Sequence, residues 1–135
     1  MAADTNVSGG GGEPQVTVSG GNLIRYRCRF YLWKPAGQTW PGTNSRRKKI
    51  HEVTLNKDHP PTDTFSLGDP NELESLALSW IIDMKVPGGG GPLQYLAKVE
   101  IEQDQNQIMN PFWTGEGKIK NTKSIGDDTE MKVTP

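Results

Sequence analysis

The chain has 135 residues, a mass of 14.9 kDa and a formal charge of −1, which suits one domain with its own core. No run approaches the ~18 apolar residues of a membrane span. No charged leader followed by an apolar stretch opens the sequence, and one cysteine excludes an internal disulfide. The expectation is a soluble chain made in the cytoplasm without export, with no membrane insertion.

Residues 1–14 are small, polar and glycine-rich. They bury too little to offset the entropy of ordering and read as a flexible N-terminal arm. Residues 15–18 suit a short strand. Residues 23–33 alternate cleanly: Ile24, Tyr26, Cys28, Phe30 and Leu32 on one face, and Arg25, Arg27, Arg29, Tyr31 and Trp33 on the other. A period of two over eleven residues predicts a half-buried strand.

Residues 34–49 form a long loop with Pro35, Gly37, Pro41 and Gly42. It carries Trp40 and the basic run Arg46, Arg47, Lys48 and Lys49. Residues 49–55 alternate around His51, Val53 and Leu55, and a turn at Asp58-His59-Pro60-Pro61 ends that strand. Residues 64–67 suit another short strand. Asp69 as a cap, Pro70 at the first helical position and Glu72 predict one helical turn at 70–74.

From 76 to 86, Leu76, Leu78, Trp80, Ile82, Met84 and Val86 take every second place, with Ile81 out of phase. After the Pro87-Gly88-Gly89-Gly90-Gly91-Pro92 loop, Leu93, Tyr95, Ala97, Val99 and Ile101 repeat the pattern. Two such strands joined by six residues predict a β-hairpin as the spine of the fold. Residues 104–107 turn the chain. Residues 108–113, broken by Pro111, suit an edge position. A strand around Ile119, a loop at 121–128 and a last strand at 129–134 complete the pattern. The expected fold is all-β: a single two-sheet β-sandwich, jelly-roll or Ig-like, of seven to eight strands over residues 15–135.

Catalytic signals are weak. His51 is in phase with apolar neighbours, His59 precedes a Pro-Pro turn, and Cys28 sits on an apolar face. No nucleophile elbow or phosphate loop is present. Glu100 and Glu102 share one strand face about 7 Å apart, a spacing that a solvated face explains. The acids of residues 126–130 lack the spacing of a calcium loop. No metal and no cofactor are expected, and the chain reads as non-enzymatic.

Charge is more informative. Residues 1–57 hold nine basic and three acidic side chains; residues 58–135 hold six and thirteen. Complementary faces of this kind favour head-to-tail association of copies. The leading expectation is therefore a structural, self-assembling subunit of a particle, filament or surface layer, a homo-oligomer held through its arm and charged faces. The alternative is a carbohydrate-binding, lectin-like module. Arginine offers forked contacts to anions, and tryptophan and tyrosine offer stacking planes. The candidate ligand or interface residues are Arg25, Arg27, Arg29, Tyr31, Trp33, Trp40, Arg46, Arg47 and Trp113. Glu100 and Glu102 are the expected cross-strand partners of the three strand arginines. Nucleic acid is disfavoured, since the isoelectric point is near 6.1.

Overall fold

The computed structural model describes residues 4–21, 23–56, 61–89, 92–115 and 117–135. They are nearly all β, arranged in multiple sheets. In chain order the strands are β1 (Thr5–Ser8), β2 (Gln15–Gly20), β3 (Arg25–Trp33), β4 (Arg47–Leu55), β5 (Thr62–Ser66), β6 (Ala77–Lys85) and β7 (Leu93–Tyr95). Then follow β8 (Ala97–Gln103), β9 (Asn106–Gln107), β10 (Phe112–Trp113), β11 (Gly117–Ile119) and β12 (Thr122–Thr134). One sheet runs β1-β12-β6-β3-β4, a second runs β10-β8-β2-β5 with β9 on β8, and β11 pairs with β7.

The core forms because the inward set of each alternating strand meets that of the other large sheet. Cys28, Phe30, Leu78, Trp80, Ile82 and Met131 come from the first sheet, and Val16, Val18, Val99 and Ile101 from the second; all are at most 1% exposed. Rings join the layers. Phe30 lies 4.8 Å from Phe65, and the edge of Trp80 meets Phe112 at 5.3 Å. Full burial of each aliphatic side chain contributes about 1.5–3 kcal/mol. At the edges, His51 of β4 and Asp63 of β5 lie 2.6 Å apart, and the imidazole stacks on Phe65 at 4.2 Å.

The predicted helical turn is a 3₁₀ turn at Pro70–Glu72, and the Asp69 carboxylate accepts from the Asn71 N–H as a cap should. The Asp104-Gln105 turn takes positive φ at both residues, 52° and 68°, which closes β8 on β9 in two residues.

Four expectations are corrected. Residues 76–86 and 93–102 do not form a hairpin: β6 pairs with β3 and β12, whereas β8 pairs with β2, β9 and β10 in the other sheet. Alternation marks the buried face of a strand, and both layers bury the same kind of face. Residues 121–128 are not a loop: from Thr122 they form the first half of β12, which runs beside β6 for nine register pairs. β12 also contains the 126–130 acids, so they lie along a strand. The glycine-rich arm contains β1, paired in parallel with β12, and Thr5 and Val7 are fully buried. Its pairing partner is more than 120 residues away, so no local pattern announces it. Finally, the described residues form twelve strands in place of seven or eight: β1 and β9 are additional and the 93–101 strand is split into β7 and β8, whereas the 108–113 edge strand and the strand around Ile119 appear as β10 and β11. Residues 1–3 of the arm, the Asp58-His59-Pro60 turn and Gly90-Gly91 lie outside the described residues.

Candidate functional site

The long β3–β4 connection brings most of the predicted aromatic and basic residues to one end of the molecule. The loop is held by its own backbone. The Lys34 N–H donates to Arg46 O at 2.8 Å, Trp40 N–H to Ser45 O at 2.9 Å, and the Thr43 hydroxyl to Trp40 O at 2.9 Å. Gly37 and Gly42 take φ of 85° and 78°, where a side chain would strain the turn.

Trp40 folds back on the core, and its indole N–H donates to Leu32 O at 3.1 Å. The ammonium groups of Lys34 and Lys48 lie 4.7 and 5.2 Å from its ring centre. Trp33 donates to the Ser79 hydroxyl at 2.7 Å and lies 5.7 and 5.8 Å from the guanidinium groups of Arg46 and Arg47. Arg47 also covers Tyr31 at 4.4 Å. Tyr31 was expected to be outward and open. It is only 7% exposed, because that guanidinium lies over it.

Cation–ring contacts of this kind contribute about 0.5–1 kcal/mol each at exposed positions. They leave the charge unneutralised. Among the described residues no carboxylate oxygen lies within 4.0 Å of the cationic nitrogens of Lys34, Arg46, Arg47 or Lys48. An open cleft of about 580 Å³ lies among Lys34, Trp40, Pro41, Thr43, Arg47 and Lys48. Lys34 and Lys48 complete this cluster and are absent from the sequence-derived set. The signal for Lys48 was the basic run itself; Lys34 sits alone after the strand and had none.

The strand arginines have a different fate. Arg27 Nε donates to Glu52 at 3.1 Å, and Lys49 donates to the same carboxylate at 2.9 Å. The Lys49 bond, then that of Arg27, holds the Glu52 carboxyl down at about 2. Arg29 donates to Asp83 at 2.7 Å, and the Ser124 hydroxyl donates to the other oxygen of that carboxylate. The partners are thus Glu52 of β4 and Asp83 of β6. Glu100 and Glu102 cannot serve, because β8 lies in the second sheet. Arg25 is exposed and lies opposite Lys85.

Trp113 stands apart on edge strand β10. It is 52% exposed, with Lys98 4.8 Å from its ring centre, and borders a shallow cleft with Ser19, Gly20 and Gly21. Cys28 is buried and free; burial, then the charges of Asp63 and Asp83, push its thiol up to about 12. A thiol so placed is a core residue and not a nucleophile at neutral pH. No group of three His, Cys, Asp or Glu side chains arranged to hold a metal occurs among the described residues, and no described helix is long and apolar enough to cross a membrane.

Compared with protein-family models, curated proteins and solved structures, the chain matches none.

Proposed function

We propose that the chain is a non-enzymatic, two-sheet β-sandwich that associates with copies of itself through surfaces of opposite charge. The observation that carries this reading is the hairpin end, where Lys34, Arg46, Arg47 and Lys48 have no carboxylate partner among the described residues. The outer side of β8 and its surroundings offer the complement. Glu100 and Glu102 point away from the core there, Glu13 lies nearby on Ser66, and Lys98 is paired with Glu100 at 3.0 Å. Two different patches that fit each other make a head-to-tail contact, which closes into rings or extends into filaments. Since β1 is occupied within its own fold, the faces and not an exchanged arm carry the contact. An Ig-like topology is the better fit of the two sandwich types. The Tyr26 hydroxyl donates to the Gly21 carbonyl five residues upstream at 2.7 Å, as in the tyrosine corner of Ig-like sandwiches.

The test is native mass by light scattering after size exclusion. At low salt the full chain is expected to run larger than 14.9 kDa. At ~0.5 M salt, where the screening length falls to a few Å, it returns to a monomer. The Arg46→Glu/Arg47→Glu variant, with circular dichroism confirming the fold, stays monomeric in both. A wild-type monomer under every condition overturns the reading.

Trp113 supports a second reading, carbohydrate binding. It is the candidate tryptophan with its indole most open, 52% exposed, whereas Trp33 and Trp40 have their N–H groups bonded to Ser79 and Leu32. A monomer that binds a glycan array, and loses the binding on Trp113→Ala, would establish it.

A further inference from the structure

A second cationic cluster lies at the other end of β3, away from the hairpin. The register sets Arg25 directly opposite Lys85, and Lys85 directly opposite Thr122 of β12. Lys123 follows at once. Like charges placed face to face across a ladder destabilise it, so this pair gives the isolated fold nothing. Among the described residues no carboxylate oxygen lies within 4.0 Å of the cationic nitrogens of Arg25, Lys85 or Lys123. Around them opens a cleft of about 350 Å³, bordered also by Arg27 and by the hydroxyl-bearing Thr54, Thr122 and Ser124. Its one acid, Asp83, is already engaged: Arg29 donates to one oxygen at 2.7 Å and Ser124 to the other. Arg27 is matched by Glu52. Two positive charges on adjacent strands, Arg25 and Lys85, remain unmatched; Lys123, in register with the inward-facing Met84, turns to the other side of the sheet, its ammonium 5.2 Å from the Tyr95 ring centre.

We infer that this cleft binds a dianionic tetrahedral oxyanion, the phosphate or sulfate group of a small ligand. Arg25, Lys85 and the Thr122 hydroxyl stand at directly opposed register positions of β3, β6 and β12, so three strands each offer a donor on one face. A carboxylate presents two oxygens in one plane and suits a single fork. A tetrahedral oxyanion presents three or four oxygens in different directions and can take a donor from each strand, with the Thr54 hydroxyl in reserve. Binding also removes the cross-strand repulsion of Arg25 and Lys85, so the site and the stability of the sheet edge are coupled. The inference stands independently of self-association through the hairpin end.

The experiment is calorimetric titration of the full chain with inorganic sulfate and inorganic phosphate at pH 7.5 and 5.5, at fixed ionic strength. Both anions are expected to bind at pH 7.5. Phosphate weakens at pH 5.5 as its second proton returns, whereas sulfate stays a dianion and holds its affinity. The stronger anion at pH 7.5 identifies which ester the site takes. Lys85→Gln lowers the affinity about tenfold or more, the loss of one charge-assisted hydrogen bond. Arg46→Gln, at the hairpin end, leaves it within about twofold, as additivity of distant sites requires. In anion-free buffer Lys85→Gln raises the melting temperature, which shows the variant folded and the repulsion relieved. Absence of binding by both anions overturns the inference. So does an equal loss from Lys85→Gln and Arg46→Gln, since diffuse charge would then explain the attraction.

Discussion

Cys28 and Glu52 lie on adjacent strands and are driven in opposite directions. The Cys28 thiol is raised to about 12 by burial first and by the Asp63 and Asp83 charges next. Its stabilising neutral form is therefore kept at every pH below the ordinary thiol value of 9.0, and its share of stability is lost only as pH climbs from there towards 12. Iodoacetamide at pH 8 is expected to leave the native chain unmodified and to alkylate it completely in denaturant; rapid native labelling would mean that the core opens. The Glu52 carboxyl is lowered to about 2, by the Lys49 hydrogen bond first and by Arg27 second. A carboxyl whose folded value lies below its usual 4.5 adds stability above that pH and loses it as pH falls towards 2. The group is exposed, so solvent and salt screen the gain. Denaturation curves between pH 5 and pH 2 should show wild type losing more stability than Glu52→Gln; parallel losses would contradict the ion pairs.

Among the elements, the N-terminal segment departs most from expectation. Glycine runs read as flexible because they carry no apolar surface, yet glycine also admits close backbone approach. A side chain at Gly11 would meet the Asp104 carboxylate at 2.6 Å and the Gln103 amide at 2.7 Å. That closeness lets Gln103, 4% exposed, tie the segment down. Its amide donates to Ser8 O at 2.8 Å and Gly12 O at 2.9 Å and accepts from Ser8 N–H at 2.8 Å. Gln103→Ala leaves these backbone groups without partners and should cost about 1–3 kcal/mol. Hydrogen exchange should then quicken first at Ser8 and the amides around it; unchanged protection there would show that β1 pairing alone holds the segment. The strands themselves were mostly legible, because side chains alternate sides along any extended backbone. The inward set Tyr26, Cys28, Phe30 and Leu32 is buried as read, as is Leu78, Trp80, Ile82 and Met84. Partner choice was not legible. β6 and β8 follow one another in the chain with the same pattern, but one completes the first sheet and the other the second.

At the level of the whole molecule, the charge asymmetry of the sequence survives folding unevenly. The basic residues of the first half stay together because β3 and β4 are hairpin neighbours. The acidic residues of the second half are spread over β6, β8 and β12 in both sheets. Concentrated cations facing dispersed anions make any contact between copies shallow and strongly salt-dependent, which is why ionic strength is the discriminating variable in the mass measurement proposed above. Composition and alternation alone settled that the chain is all-β and which side chains face inward, since both follow from local backbone geometry. They also marked the cations and aromatic residues available for binding. Whether a given cation is spent or free was decided by folding. Arg27 and Arg29 differ little from Arg46 and Arg47 in type and local charge, but the first two meet Glu52 and Asp83 across the sheet, whereas the last two meet rings and, for Arg46, the Lys34 carbonyl, with no carboxylate among the described residues. Pairing of this kind depends on residues 25 and 54 positions apart brought into register, and no local pattern of residues encodes that distance.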